Sequence, residues 1–523
     1  MSKRAILKRN RFKQTLNSGE TKKLVKTLAV SVSIFLSSCA VGPDFKPPVV
    51  ETPENYRFEK IPVESMINLK WWELFNDPVL YSIVSMGLEN NRDVKIAASR
   101  IEQARASLGF TKADQYPKID IEAGAGTGNF AGGTRSSTIN THYYIAPALS
   151  WELDFWGKFR RTTEAARAEL MASEYALRTV QLSLISEVVS TYYLLLDFHQ
   201  RLAISKYTLD SRLKSLDIIQ QRFDKGIIAE LDVNQAQIQK EVAAASIPLY
   251  ERSIAKTENA LSILLGKLPG AIKTGEDLSS QTIPPDIPID LPSNILERRP
   301  DIAEAMYSLE AQTATIGVAE ALRFPAISLT GVLGLASSEL SSVTSEGGVW
   351  SVSGGLLGPI FNFDKNVRRV AIEEAKTQQA LYRYENTVLT AFREVEDALV
   401  GVHTYKKQIF AVENKRKAAK NAYKLAKLRY DKGVSSYLEV LETERTLFSV
   451  ELELSELKQQ YLKAYVKLYK ALGGGWITKE EMKFHSRPRT AFGMHIYEKS
   501  VSFLRRNPKF GAKLAITWEN EPF

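Results

Sequence analysis

Few residues in this sequence of 523 residues have side chains suited to catalysis or metal binding. Five His and one Cys are scattered along the chain, and no GxSxG, HExxH, P-loop or CxxC arrangement occurs. Glu152 and Asp154 lie two residues apart and could act as paired carboxylates. Acidic side chains on one face of a strand explain that spacing better. The sequence therefore predicts no catalytic residue, no metal site and no cofactor.

The single Cys, Cys39, ends an N-terminal targeting pattern. The first 26 residues are basic, Thr27 to Phe35 is a short apolar run, and Leu36-Ser37-Ser38 precedes the Cys. This order is typical of a bacterial signal peptide that is cleaved when lipid is attached to the Cys, and the run is too short to span a bilayer. We predict a lipoprotein signal peptide over residues 1–38 and a lipidated Cys39. The alternative is a solitary Cys after an ordinary signal peptide.

A mature chain that begins at Cys39 would act outside the cytoplasm. Without a second Cys it would form no internal disulfide, so packing and oligomerisation must stabilise it. Position 40 is Ala rather than Asp, which by the sorting logic of bacterial lipoproteins favours attachment to outer-membrane lipid.

The net charge of +9 is concentrated at the two chain ends. Residues 1–38 hold nine Lys/Arg and one Glu, and residues 478–523 hold nine Lys/Arg and five Glu. The rest of the chain is therefore slightly acidic. Because a nucleic-acid footprint needs a basic surface on the folded domain, no nucleic-acid partner is predicted.

Five separated blocks of sequence recur after 207 or 208 residues, which indicates two tandem copies of one unit. Arg222-Phe223-Asp224-Lys225-Gly226 recurs as Arg429-Tyr430-Asp431-Lys432-Gly433, and Pro117-Lys118-Ile119 matches Pro325-Ala326-Ile327. One insertion or deletion explains the difference between the two offsets.

Each copy contains a pair of predicted strands with alternating faces. From Tyr143 to Phe155 large apolar residues share one parity, and small or acidic residues share the other. The Gly/Ser/Thr-rich stretch from Gly124 to Asn140 is predicted to be the connecting loop. Strands of about ten residues with one apolar face suit a membrane-spanning barrel. Since four strands leave open edges that lipid cannot satisfy, several subunits must pool their strands. The alternative is a half-buried sheet of a soluble protein.

Each copy also contains a very long helical pattern. No Pro or Gly occurs between Lys158 and Asp224, and an apolar position recurs every seven residues, typical of a coiled-coil seam. The seam positions are Val188, Leu195, Leu202, Leu209, Leu216 and Phe223, then Val395, Val402, Ile409, Arg416, Tyr423 and Tyr430. Gly226 and Gly433 suit the C′ position of these helices, so an antiparallel return helix should follow each.

These residues resemble the TolC-type outer membrane efflux protein family, and in particular its NodT/OprM-like lipoprotein branch. The resemblance covers about residues 39–477. It rests on an ordered series of motifs: Cys39-Ala40-Val41-Gly42-Pro43-Asp44-Phe45-Lys46-Pro47-Pro48, Trp72, Phe75, Asp77-Pro78, Arg298-Arg299-Pro300-Asp301, Phe324-Pro325-Ala326-Ile327, Gly358-Pro359-Ile360-Phe361 and Glu394-Val395-Glu396-Asp397-Ala398-Leu399.

The resemblance implies an α+β membrane protein that works as a homotrimer. Three chains, with four strands each, would form a 12-stranded β-barrel in the outer membrane. A long antiparallel α-helical barrel would extend from it into the periplasm, with a mixed equatorial domain around its waist. The implied function is the exit duct of a tripartite efflux pump for small molecules such as drugs. Its partners would be a periplasmic adaptor (membrane fusion) protein and an inner-membrane transporter of the resistance-nodulation-division type.

We expect five segments along the chain. After the signal peptide come an extended lipid-anchored segment over 39–70, a first repeat over 71–285, a second repeat over 286–477 and an atypical tail over 478–523. The first repeat should hold strands at about 117–130 and 141–155 and a helical hairpin at about 157–267. The second should hold strands at about 325–337 and 349–363 and a hairpin at about 365–473.

Two sets of candidate site residues lie where the long helices end. The hairpin tips Lys225, Gly226, Ile227, Lys432, Gly433 and Val434 would dock the adaptor, although helix capping alone would also explain the glycines. Arg222, Asp224, Arg429 and Asp431 would form a charged periplasmic gate, although solvated ion pairs explain Arg222 and Asp224 as well.

Two alternative functions use the same elements. One is the outer-membrane duct of a type I protein secretion system, and the other is a periplasmic coiled-coil scaffold without a pore. Amphipathic strands argue against the scaffold, because a spacer has no need of them.

Overall fold

The computed structural model describes residues 40–53, 56, 77–131, 134–281, 295–344 and 348–474. Cys39, the predicted signal peptide and the predicted tail lie outside the described residues. The helices, in chain order, are α1 (Pro78–Asn90), α2 (Arg92–Ala113), α3 (Lys158–Asp224), α4 (Glu230–Leu264), α5 (Ile295–Arg298), α6 (Pro300–Ala321), α7 (Lys365–Asp431) and α8 (Tyr437–Ala471). The strands are β1 (Lys118–Ala131), β2 (Thr134–Leu153), β3 (Ala326–Ser337) and β4 (Gly348–Leu357).

The four strands form one antiparallel sheet in the order β1-β2-β3-β4. Its register aligns the alternating rows across all four strands: Ile119 pairs with Leu149, Leu149 with Gly331, and Gly331 with Val352. One face is therefore mainly apolar on all four strands, and most of its large side chains are exposed, as Val352 is at 77%. The opposite face carries mainly small, hydroxyl or acidic residues, with a few apolar ones such as Val332 and Leu357. In this chain β1 and β4 are edge strands, so closure requires strands from elsewhere.

The prediction of a connecting loop from Gly124 to Asn140 is wrong. β1 continues to Ala131 and β2 already begins at Thr134, with Gly128 paired to Asn140 and an irregularity between Gly128 and Phe130. Thr favours strands, and the ladder hydrogen bonds satisfy the backbone of the glycines, which outweighs their low strand propensity.

The last strand is shorter than predicted. β4 ends at Leu357 rather than near residue 363. Pro359 cannot donate to a ladder, and Phe363 and Asp364 have φ of 51° and 60°, so the chain turns into α7 instead of continuing the sheet.

The two long helices occupy equivalent positions in the two copies. α3 and α7 each contain 67 residues, and α4 and α8 each contain 35. At 1.5 Å per residue the longer pair are rods of about 100 Å. Gly226 and Gly433 adopt φ of 70° and 75°. The next amide, of Ile227 or Val434, donates back to the carbonyl of Arg222 or Arg429 at 2.9 or 3.0 Å, a Schellman cap.

The coiled-coil seam is unequally buried along these rods. Val188 and Leu195 are fully buried against α1, α4 and α8, and Val395 is fully buried against α5 and α8. Closer to the tips the seam is only partly covered, and Phe223 is 37% exposed. Arg416, which breaks the apolar repeat, is exposed. A single chain therefore covers its helices well at the waist and poorly towards the tips.

The two copies also close in the same way at the waist. In the first copy Asn91 Nδ2 donates to the carbonyl of Leu264 at 3.0 Å, and in the second Arg299 Nη1 donates to that of Ala471 at 3.0 Å. Leu264 and Ala471 each end a return helix and are equivalent by the repeat offset. Arg299 in addition binds the carboxylates of Asp301 at 2.6 Å and Glu394 at 2.7 Å. The duplication predicted from the sequence is thus expressed as one structural unit used twice.

Candidate functional site: the hairpin tips and the rungs above them

The two hairpin tips are exposed and uncrowded. A Cβ added to Gly226 or Gly433 would meet nothing within 4 Å. The next residue in each copy is apolar and largely exposed, with Ile227 at 67% and Val434 at 66%. An exposed apolar side chain beside an unhindered glycine can pack closely against another helical hairpin. Lys225 and Lys432, which complete the predicted docking tips, are exposed as well.

The structure brings two of the four predicted gate residues, Arg222 and Asp431, together across the two hairpins. Arg222 of α3 places Nη2 3.8 Å from Asp431 Oδ1 of α7, and its guanidinium lies 4.7 Å from the ring centroid of Tyr430. Arg429 instead faces Glu439 on the adjoining return helix, with Nε to Oε1 at 3.6 Å. Asp224 accepts a hydrogen bond from Gln220 Nε2 at 2.9 Å on its own helix. Among the predicted gate residues, the contact between hairpins is therefore made by Arg222 with Asp431, and the Tyr430 ring lies against the same guanidinium.

A second contact between hairpins lies deeper and is almost fully buried. The side chains of Arg212 on α3 and Glu444 on α8 are 2% and 8% exposed, with Nε to Oε1 at 3.7 Å. Arg212 Nη1 also donates to the carbonyl of Gln239, and the guanidinium lies 5.0 Å from the ring of Phe448. Burial raises the pKa of Glu444 and lowers that of Arg212. Each charge is thus costly to bury and depends on the other.

A third contact joins the same two helices at the waist. Asp197, 1% exposed, accepts a hydrogen bond from Ser455 of α8 at 2.5 Å and binds Arg201 at 2.8 Å. Arg201 also reaches Glu456 of α8 at 3.2 Å. The three contacts, which we call rungs, are the waist rung (Asp197 and Ser455), the middle rung (Arg212 and Glu444) and the tip rung (Arg222 and Asp431). Only the tip rung is substantially exposed.

At the waist, Asp77 explains one motif of the family resemblance. This buried carboxylate caps α1 by accepting the amides of Val79 at 2.9 Å and Leu80 at 3.1 Å. It also accepts the hydroxyl of Tyr192 at 2.7 Å, which ties α1 to the long helix α3. Burial raises the pKa of Tyr192, so the hydroxyl stays protonated and donates. The role of Asp77 is therefore structural.

Sequence reasoning did not identify Arg212, Glu444, Tyr430 or Glu439 as functional candidates. A signal was present for the middle rung. Arg212 lies three residues after Leu209, four before Leu216 and seven before Ile219, so it belongs to the buried stripe of its helix. Glu444 likewise stands three residues after Leu441 and four before Phe448. A charge within such a stripe indicates a buried partner.

A sheet with an exposed apolar face and open edges, joined to two long helical hairpins, defines a subunit of a membrane channel. The family profile described as "Outer membrane efflux protein" matches residues 83–267 and 291–474, one match for each copy. The chain belongs to this family. Its members are channels, so this protein is an outer-membrane efflux channel that reaches into the periplasm and not an enzyme. Such channels operate in tripartite pumps with an adaptor and an inner-membrane transporter.

Individual relatives match over almost their whole length. The chain is 35% identical over 463 residues to the solvent efflux pump outer membrane protein SrpC of Pseudomonas putida, covering 86% of this chain and 98% of that one. It is 32% identical over 460 residues to the probable outer membrane lipoprotein SilC of Salmonella typhimurium, covering 87% and 99%. The solved outer-membrane channel OprN matches with a TM-score of 0.77 and 30% identity, over 84% and 100%. The predicted fold class and efflux function are confirmed, and the secretion duct and the scaffold are not supported.

Proposed function

We propose that three copies of this chain close one barrel and form the passive exit duct of a pump for small molecules. The observation that carries the proposal is the open four-stranded sheet, whose apolar face and two edge strands have no partner among the described residues. In lipid, each unpaired N–H or C=O of an edge costs several kcal/mol, so the edges must pair with those of other subunits. Twelve strands from three chains would satisfy this requirement.

The experiment combines stoichiometry with conduction. Native mass measurement of the purified protein in detergent should give three copies, and the same sample should form conducting channels in planar bilayers. A stable folded monomer in detergent would refute this architecture. A trimer that conducts no ions in its open state would refute the duct while leaving the assembly intact.

The remaining sites extend the same proposal. Lipid attached at Cys39 would anchor the chain, and Cys39→Ser should abolish labelling by a fatty-acid probe. The tips, Lys225-Gly226-Ile227 and Lys432-Gly433-Val434, would seat the periplasmic adaptor, and a transporter of the resistance-nodulation-division type would supply the cargo. Arg222, Asp224, Arg429 and Asp431 would surround the periplasmic entrance. What supports the last assignment is that two of these residues, one from each copy, already contact each other near the tips.

A further inference from the structure

A buried guanidinium at the start of α3 is bonded mainly to the segment that follows Cys39. The side chain of Arg161 is 5% exposed. Its Nε donates to the carbonyl of Val41 at 3.1 Å, and its Nη2 donates to the carbonyl of Gly42 at 3.1 Å and to Asp44 Oδ1 at 2.8 Å. Only Nη1 binds its own helix, at Glu164 Oε2, 2.9 Å away. Because a buried charge needs nearly all its donors satisfied, Arg161 depends on this segment.

Glycines let the same segment approach the surrounding backbone. Gly42 has φ of +95°, and a Cβ there would lie 2.4 Å from the Cα of Gly317 in α6. A Cβ on Gly317 would lie 2.7 Å from the carbonyl oxygen of Val41. A Cβ on Gly157 would lie 2.5 Å from the Cβ of Ala40. We call Gly157, Arg161 and Gly317 the anchor dock. Gly157 and Arg161 belong to the first repeat and Gly317 to the second, so the docked segment joins the two repeats.

The dock lies where the sheet meets the helices. The amide of Val41 donates to the carbonyl of Trp156 at 3.1 Å, just after β2 ends. The indole of Trp156 donates to the carbonyl of Pro325 at 2.8 Å and stacks on Phe324, 4.5 Å between centroids, just before β3 begins. Ala40 is therefore held at the foot of two central strands. One peptide bond separates it from Cys39.

We infer that the anchor dock is a positioning site for the lipid anchor. Given the proposed lipid attachment at Cys39, on which this inference rests, the dock fixes where the acyl chains enter the bilayer, beside the foot of β2 and β3. An anchor held there keeps the strand feet at the depth of the membrane surface while the subunits close their barrel. Arg161, Gly42 and Gly317 act through the placement of the anchor and not on its chemistry.

The test uses the full-length protein expressed with a fatty-acid probe. Arg161→Ala and Gly317→Ala loosen the dock, while Arg167→Ala, at an exposed position of α3, and Gly109→Ala, with open space around it in α2, are the matched controls. Opening of the segment is followed as the rate of chymotrypsin cleavage after Phe45. A further variant inserts Gly-Ser-Gly-Ser between Cys39 and Ala40, which leaves the dock intact but frees the anchor from it.

Loss of the charged hydrogen bonds should raise cleavage about tenfold in Arg161→Ala, with a similar increase in Gly317→Ala and no change in the controls. All variants should keep the acyl label, and the two dock variants and the insertion variant should lose heat-stable trimer from the outer membrane. Unchanged cleavage in Arg161→Ala, or wild-type trimer in the insertion variant, would overturn the inference. A wild-type protein without acyl label would refute the lipid attachment itself. That failure differs from failure of the dock, because the difference in cleavage between Arg161→Ala and the wild type would remain.

Discussion

At the residue scale, the charges near the tips differ in the strength of their contacts. The pair Arg222 and Asp431 is 3.8 Å apart, with side chains 30% and 49% exposed. Exposed pairs of this kind contribute about 0–1 kcal/mol, and the ring of Tyr430 beneath Arg222 adds a cation–π attraction of similar size. A gate built from such contacts closes weakly and can open at low cost.

We expect Arg222→Ala and Asp431→Ala each to raise the open population of the channel. The increase should be about fivefold at most in Asp431→Ala, because the ion pair contributes no more than about 1 kcal/mol. It should reach up to about thirtyfold in Arg222→Ala, because that change also removes the cation–π attraction to Tyr430. Single-channel conductance in planar bilayers and sensitivity of cells to bulky antibiotics measure the effect. Lys214→Ala is a suitable control, since the exposed Lys214 pairs with Asp210, four residues earlier on its own helix. Wild-type conductance in both tip variants would place the constriction elsewhere.

Arg429 provides a second test at the same scale. The structure places Arg429 against Glu439 of its own hairpin and Arg222 against Asp431 of the other hairpin. If the contacts between hairpins close the gate, Arg429→Ala should change conductance less than Arg222→Ala does. A larger change in conductance in Arg429→Ala than in Arg222→Ala would show that Arg429 acts through contacts between subunits.

At the element scale, the middle rung fixes α3 against α8. Replacing one of the two side chains would leave the other as a buried charge without its partner, which costs about 3–5 kcal/mol of stability. Replacing both by an apolar pair of similar volume is often neutral for stability. Arg212→Met and Glu444→Leu should therefore each lower the melting temperature of the trimer, and the double variant should recover most of the loss. A double-mutant cycle in detergent measures this coupling. Additive losses would mean that Arg212 is held mainly by Gln239 and Phe448.

The hairpin tips are the next elements to test. Gly226→Trp and Gly433→Trp place a large, strained side chain where φ is positive and where an adaptor helix would approach. We expect cross-linking to the adaptor to be lost while the trimer still assembles. Gly270→Trp is the matched control, because it also has open space around it but lies beyond the far end of α4. Export that survives both tip changes would exclude the tips as the joint.

At the scale of the whole molecule, the two faces of the sheet should respond oppositely to charge. Val352 and Ser353 are neighbours on β4, but Val352 lies on the apolar face and Ser353 bonds Thr330 on the other, with the hydroxyl oxygens 2.6 Å apart. A lysine facing lipid costs about 2–4 kcal/mol at the bilayer midplane. Val352→Lys should therefore reduce barrel insertion, measured as heat-resistant trimer in outer membranes, and Ser353→Lys should be tolerated. The reverse order would invert the assignment of the faces.

Much of this architecture could be predicted from periodic patterns and the internal repeat in the sequence. The strand alternation, the seven-residue apolar repeat and the recurring Arg-aromatic-Asp-Lys-Gly block indicated amphipathic strands, long helices and two equivalent copies, because each is a local pattern that one element expresses by itself. Prediction from local composition failed where pairing between strands determines the structure. The Gly/Ser/Thr-rich stretch before Asn140 forms strand because a neighbouring strand satisfies its backbone.

Partner choice among charged residues was decided only by the tertiary structure. Arg212 and Glu444 are more than 200 positions apart, and although each interrupts the apolar stripe of its helix, nothing local identifies the other as its partner. The packing of α3 against α8 buries both and makes them depend on each other. Arg161 and Gly317 likewise become part of the anchor dock only when the first turn of α3, the segment after Cys39 and α6 converge. A sequence specifies its elements through short-range periodicity, but the free energy of a buried charge depends on what surrounds it, which only the assembled fold determines.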